Sequence, residues 1–173
     1  MIKAIAFDWG NTLMQEVPLA RRPSARSPTM EVAPGVTEAL KTLHRKYLCC
    51  VASNARGPES TALGLVLERV GLDKYFGHVF TTEELGAAKP DLKFFKGMLL
   101  KLQLQPQECI MVGDDYQADM AGAKAAGMKT IWVAQRAVRE SPDADVVITS
   151  MNDLLPAIAK LAVQGERTLA RAV

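Results

Sequence analysis

Short apolar runs alternate with stretches of helical periodicity almost to the end of this 173-residue chain. Ile2–Phe7, Tyr47–Ala52, His78–Thr81, Cys109–Val112, Lys129–Val133 and Val146–Thr149 are brief, apolar and bounded by turn residues, and read as strands. Between them, Pro34-Gly35 opens a helix with Val36, Ala39, Leu40 and Leu43 on one face. A second helix covers Pro58–Val70, with Gly71 as its C-terminal cap. A third starts at Pro90 after the loop Glu83–Lys89, and carries Phe94, Phe95, Met98 and Leu102. Gln117–Ala126, closed by Gly127, and Met151–Val163 complete the set. This alternation predicts an α/β fold, a three-layer Rossmann-like parallel sheet of about five strands with helices on both faces. One domain is expected over residues 1–163, with a polar, frayed tail at 164–173. Segment 14–33 breaks the rhythm. Pro18, Pro23, Pro28 and Pro34 exclude a long helix there, leaving an irregular loop or a small hairpin that carries Arg21, Arg22 and Arg26.

Three strands end in polar stations: Asp8-Trp9-Gly10-Asn11-Thr12, Ser53-Asn54 and Gly113-Asp114-Asp115. In an open parallel sheet the carboxyl ends of the strands share one edge, where ligands bind. Residues far apart in sequence would therefore converge. Asp8, on a rigid strand end, can offer one oxygen to Mg²⁺ and attack phosphorus with the other; the plainer role is a loop or helix-capping aspartate. Asp114 supplies a second carboxylate for a hard cation. Asp115 and Asp119 fall near the start of the next helix, where capping and support of a metal site are equally natural roles. Ser53 brings a hydroxyl, and Ser53-Asn54 backbone N–H groups, that can receive phosphate oxygens. Lys89, extended because Pro90 follows it, either neutralises a phosphoryl group or is a solvated surface charge.

Composition narrows the partners. Hydrophobic residues make up 49% and charged residues 23%, ordinary values for a globular protein. The formal charge of +2 argues against nucleic acid or a membrane surface as a partner. No apolar run approaches the ~20 residues that span a bilayer. With the first strand beginning at Ile2, a cleaved leader is not expected. Cys49, Cys50 and Cys109 form no C-x-x-C pair, and adjacent strand residues point to opposite faces, so reduced core cysteines and a cytoplasmic setting are expected.

The stations, in this order, resemble the haloacid dehalogenase superfamily, dominated by Mg²⁺-dependent phosphatases. The likeness runs from Ile2 to about Val133 and is strongest in AAKPDLKFF and IMVGDDYQADMAGAKAAGMKTIWV. It implies Asp8 as nucleophile, Ser53 as the second-motif hydroxyl, Lys89 as the third-motif lysine and Asp114 as a metal ligand, with Ser53, Asn54 and Lys89 holding the phosphoryl group. It also implies Mg²⁺ on Asp8, the Gly10 carbonyl and Asp114. The substrate implied is a phosphorylated small molecule, hydrolysed through an aspartyl-phosphate.

Two departures stand out. Relatives usually carry a second aspartate two residues after the nucleophile as general acid/base, and this chain has Gly10. Losing that proton transfer is typically worth 10²–10⁴-fold, so slow turnover is expected, with water or Glu16 as weak substitutes. The competing reading is a catalytically degenerate member that binds a phosphorylated ligand or a protein partner. Second, Asp8 and Ser53 are too close in sequence for a helical cap domain, so loop 14–33 stands in its place. The open site suits a large substrate, a homo-oligomeric partner that closes it, or substrate contact by Arg21, Arg22 and Arg26; a solvated basic loop is the plainer role.

Overall fold

Every residue of β1 (Ala4–Phe7) is buried, which requires a strand covered on both faces. The computed structural model, which describes residues 1–17, 29–138 and 141–170, supplies that cover. After β1 come β2 (Met14–Val17), β3 (Thr29–Val32), α1 (Val36–Leu43), β4 (Leu48–Ser53), α2 (Pro58–Val70), β5 (His78–Thr81) and α3 (Thr82–Leu85). The chain continues through α4 (Leu92–Leu102), β6 (Cys109–Gly113), α5 (Gly122–Ala125), β7 (Lys129–Val133), β8 (Val146–Ile148) and α6 (Leu154–Ala170). Six strands pair in parallel in the order β5-β4-β1-β6-β7-β8. From β1 the chain first winds outward to β4 and β5. It then returns to the other side for β6, β7 and β8, so the winding reverses beside β1. A ligand crevice is expected at such a reversal. Because β4 and β6 flank β1, the three polar stations occupy adjacent strand ends.

Alternation along the central strands builds two cores. Ile5, Phe7, Cys49, Val51, Ile110 and Val112 face a layer that includes Val36, Leu40, Leu67, Leu154 and Ile158 from α1, α2 and α6. Ala4, Ala6, Cys50, Ala52 and Met111 face Phe94, Phe95, Met98 and Ala123 from α4 and α5. On this second face small alanines admit the rings of Phe94 and Phe95, which meet edge to face at 5.5 Å. Removing either buried ring should cost about 3–5 kcal/mol. The adjacent cysteines do point to opposite faces. All three cysteines are buried and free, and burial pushes the Cys49 and Cys109 thiols up to about 12.

Several expectations are corrected. The sheet has six strands rather than about five, because Val146–Ile148 pairs with β7. Of the two forms expected for segment 14–33, the described ends take the small hairpin: Met14 pairs with Val32 and Val17 with Thr29 in antiparallel register. Arg21, Arg22 and Arg26 lie outside the described residues. The loop expected over Glu83–Lys89 starts within a short helix, Thr82–Leu85, capped by the Thr81 hydroxyl accepting from the Glu84 N–H. The third main helix begins at Leu92 rather than Pro90, because Asp91 caps it by accepting from the Lys93 N–H. The helix expected at Gln117–Ala126 opens as a π-helical stretch, Tyr116–Ala121, with Asp115 accepting from the Ala118 N–H. The last helix continues past Val163 to Ala170 rather than giving way to a frayed tail at Gln164. Among the described residues, no helix is long and apolar enough to cross a membrane.

Candidate active site

Parallel pairing fixes the site before any side chain is considered. Phe7 lies opposite Val51 on one side and Val112 on the other, and the Asp8 N–H donates to the Val112 carbonyl at 2.8 Å. The next residues on each strand, Asp8, Ala52-Ser53 and Gly113-Asp114, therefore emerge side by side. Asp8, Gly10, Ser53, Asn54, Lys89 and Asp114 all line one cleft of about 600 Å³, joined by Asp115 and Asp119. Apart from Glu16 and the basic loop, the site residues expected from the sequence are brought together here. Glu16, exposed on β2, is not among the lining residues.

Lys89 organises the floor of the cleft. Its ammonium lies 2.6 Å from Asp8 Oδ1 and 2.6 Å from Asp119 Oδ1, with its side chain only 2% exposed. Burial alone would lower its pKa, but the Asp8 and Asp119 carboxylates more than offset this and raise it. The lysine is therefore a fixed cation, and the solvated alternative is ruled out by its burial. Asp119 is fully buried. Burial pushes its carboxyl up, Lys89 pulls it back, and Asp8 adds a further push. Its second oxygen accepts from the Asp115 N–H at 3.2 Å. Asp115 itself caps the π-helical turn, which was one of its two expected roles.

Two glycines make this geometry reachable. A Cβ at Gly113 would overlap the Asp119 carboxylate, so the strand end must be bare there for Asp119 to fold back. A Cβ at Gly122 would run into the Phe95 ring at 2.5 Å and the Pro90 backbone at 2.9 Å. Its absence lets the helix pass close to Pro90 and set Lys89 beneath the sheet edge.

Asn54 differs from its expected role. Its side-chain amide donates to the Lys89 carbonyl at 3.0 Å and accepts from the Lys89 N–H at 2.8 Å. The side chain thus grips the lysine's backbone rather than pointing to a phosphate, although Asn54 still lines the cleft. Ser53 is buried at the strand end, with its hydroxyl oxygen accepting from the Ala55 N–H at 3.2 Å. The Trp132 indole N–H donates to the Asp114 carbonyl at 2.8 Å and fixes that strand end from the far side.

The acidic residues suit a hard cation. Asp8, Asp114 and Asp119 each offer an oxygen, and these atoms lie within 4.8 Å of one another. Asp119 is occupied by Lys89 and the Asp115 N–H, which leaves Asp8 and Asp114 as the pair best placed to hold Mg²⁺. Burial and the nearby Asp8 carboxylate raise the Asp114 pKa, partly countered by the Asn11 side chain. Crowding of this kind, negative charge drawn together against its own repulsion, is relieved by a divalent cation. At Gly10 a side chain would project into open space.

One wall of the cleft was not anticipated. Glu59, Ala62, Leu63 and Val66 of α2 border it with Trp9. Their spacing of three and four residues was readable as one helix face. What was not readable was that this face turns partly toward the cleft rather than wholly into the core.

Comparison with known proteins agrees with this arrangement. The sequence profile of the family described as haloacid dehalogenase-like hydrolase matches residues 11–133. Glyceraldehyde 3-phosphate phosphatase of Pyrococcus furiosus is 38% identical over 97 residues, covering 53% of this chain and 40% of that protein. Haloacid dehalogenase-like hydrolase domain-containing protein 3 of Mus musculus is 32% identical over 136 residues, or 75% of this chain and 53% of that one. The matches thus span about half, or less, of those relatives. Among solved structures, an uncharacterized protein from Listeria monocytogenes serotype 4b aligns with a TM-score of 0.76 and 24% identity, over 93% of this chain and 99% of that chain. A HAD phosphatase from Thermococcus onnurineus gives 0.73 and 22%, over 91% and 98%. At these identities the structural matches establish the shared fold.

Proposed function

The chain belongs to the haloacid dehalogenase-like hydrolase family, and from that footing we propose that it hydrolyses a small phosphate monoester by phosphoryl transfer to Asp8. The observation that carries this reading is the convergence of Asp8, Asp114 and Lys89 in one cleft at three distant points of the sequence. The named phosphatase relatives support the same class of reaction.

In this reading a carboxylate oxygen of Asp8 forms a bond to phosphorus as the bond to the leaving oxygen breaks, and the leaving group departs with the electron pair. Water then attacks phosphorus in the aspartyl-phosphate, restoring the Asp8 carboxylate and releasing inorganic phosphate. Lys89 orients Asp8 through the 2.6 Å contact. Ser53 and the N–H groups after it receive phosphoryl oxygens whose charge redistributes during transfer. Asp8, Asp114 and the Gly10 carbonyl would hold Mg²⁺, which supplies charge neutralisation at the phosphoryl group. Gly10 provides no proton donor, which favours slow turnover. The same glycine is the one observation favouring a binding protein without useful catalysis.

The deciding experiment is hydrolysis of acetyl phosphate and p-nitrophenyl phosphate with Mg²⁺ or chelator, on wild type and Asp8→Asn, with a trap for phosphoenzyme. Mg²⁺-dependent phosphate release or labelling that vanishes in Asp8→Asn is expected. Neither product from wild type would move the binding reading ahead. A thermal shift with Mg²⁺ that Asp114→Asn removes tests the metal site without relying on turnover.

A further inference from the structure

The cleft has a phosphoryl end, formed by Asp8, Ser53 and Lys89, and a remainder that must take the rest of the substrate. That remainder is bordered by Trp9 and by Ala62, Leu63 and Val66 of α2. Leu63 is buried, Trp9 and Val66 are half-buried and packed on the core, and Ala62 is exposed. The charged residues that border the cleft beyond the phosphoryl end are Glu59, in the first turn of α2, and Asp115. Among the described lining residues the one cation is Lys89, and two carboxylates already hold it. Against these described residues a second phosphate or a carboxylate on the substrate would meet negative charge and an apolar wall. A flat uncharged group would instead bury its surface against that wall, and about 600 Å³ is ample for one or two rings with a phosphate.

Gly10 points the same way from chemistry rather than shape. With no acid beside Asp8, the leaving oxygen must depart unprotonated, which a phenol-type oxygen tolerates far better than an alkoxide. We infer that the leaving-group part of the cleft takes an uncharged aromatic ring, so that the substrate is a small aryl phosphate monoester without a second anionic group. This rests on the phosphatase reading above. In the first step the Asp8 O–P bond forms and the P–O(aryl) bond breaks. The aryloxide leaves with the electron pair and takes a proton from water.

Two arms separate this inference from the reading beneath it. Calorimetry with Mg²⁺ compares binding of 2-naphthylmethylphosphonate and phosphonoacetate to wild type, Ala62→Glu and Val66→Glu. The naphthyl ligand should bind wild type at least about tenfold more tightly, as expected for burying one ring face. Either variant should erase that preference, and Ala62→Glu, at an exposed position, is the variant safest for folding. Equal affinities, or tighter phosphonoacetate, would overturn the inference. The second arm measures kcat/KM for 2-naphthyl and 4-carboxyphenyl phosphate, esters of phenols of similar acidity, with acetyl phosphate as control. A clear naphthyl advantage is expected. Acetyl phosphate hydrolysis without that advantage would overturn the aryl assignment while leaving the phosphatase reading standing. Selective naphthyl binding with no phosphate released from any of the three would uphold the aryl site and reject the phosphatase reading.

Discussion

Asn54 holds Lys89 by both polar groups of its main chain, donating to its carbonyl at 3.0 Å and accepting from its N–H at 2.8 Å. The strand end after β4 is thereby locked to the turn before α4, thirty-five residues away, and the ammonium is delivered to Asp8 from a fixed backbone. Asn54→Ala removes both bonds and keeps the residue's own N–H. The expected result is a loss of about 1–3 kcal/mol in urea unfolding. A fall of at least about tenfold in acetyl phosphate turnover should accompany it, because a small displacement of a positioning group is costly. Unchanged turnover would show that Lys89 holds its place without the clamp.

The lysine's two carboxylate partners predict a non-additive stability pattern. Lys89→Met leaves Asp119 buried without its counter-charge, and should cost about 3–5 kcal/mol in urea unfolding as well as abolishing turnover. Adding Asp119→Leu removes the stranded charge. The double variant should recover much of the stability while remaining inactive, since Asp8 still lacks its ammonium. A double variant no more stable than Lys89→Met alone would contradict the view that stranded charge is the cause.

What could be read from the sequence, and what could not, divides along a physical line. Pro58–Val70 with its Gly71 cap was readable because periodicity, an N-terminal proline and a C-terminal glycine all agree locally. The convergence of Asp8, Ser53 and Asp114 followed from parallel pairing alone. The bond between Asn54 and the Lys89 backbone, and the pairing of Lys89 with Asp119, depend on how α4 and the π-helical turn approach the sheet edge. That approach is set by bare space at Gly113 and Gly122. A glycine in a sequence does not announce which neighbour occupies the room it leaves. For segment 14–33 the sequence left an irregular loop and a small hairpin both open for a different reason: prolines exclude helix but do not say whether the flanking residues pair.

Acid should loosen the β7–β8 edge through Asp145. Its carboxylate lies 2.6 Å from the Lys124 ammonium and accepts from the Thr130 N–H at 3.0 Å. Burial works against the charge, but these bonds more than offset it and hold the carboxyl below its ordinary value. The folded protein thus binds this proton less readily than the unfolded chain. Its stabilising effect is complete above the unfolded value of about 3.9, and is lost as pH falls through the lower folded value. Urea midpoints measured from pH 6 to pH 3 should fall less steeply in Asp145→Asn than in wild type. Parallel curves would assign the acid sensitivity to other carboxylates.

Position 10 offers the most direct gain-of-function test. A Cβ at Gly10 would touch nothing within 4 Å, and its φ is not among the left-handed values, so an aspartate enters without strain or overlap. Placed two residues after Asp8, it would face the same cleft and supply the missing proton donor for the leaving oxygen and base for the attacking water. Gly10→Asp should raise kcat for an alkyl phosphate by roughly 10²-fold or more. For p-nitrophenyl phosphate the gain in phosphoryl transfer should be much smaller, because nitrophenoxide leaves without a proton. Burst kinetics would separate the two steps: transfer to Asp8 shows the leaving-group dependence, whereas breakdown of the aspartyl-phosphate is accelerated equally for both substrates. An unchanged kcat on both, in a variant that unfolds at the wild-type urea concentration, would show that the proton already arrives by another route and that Gly10 is not what limits this site.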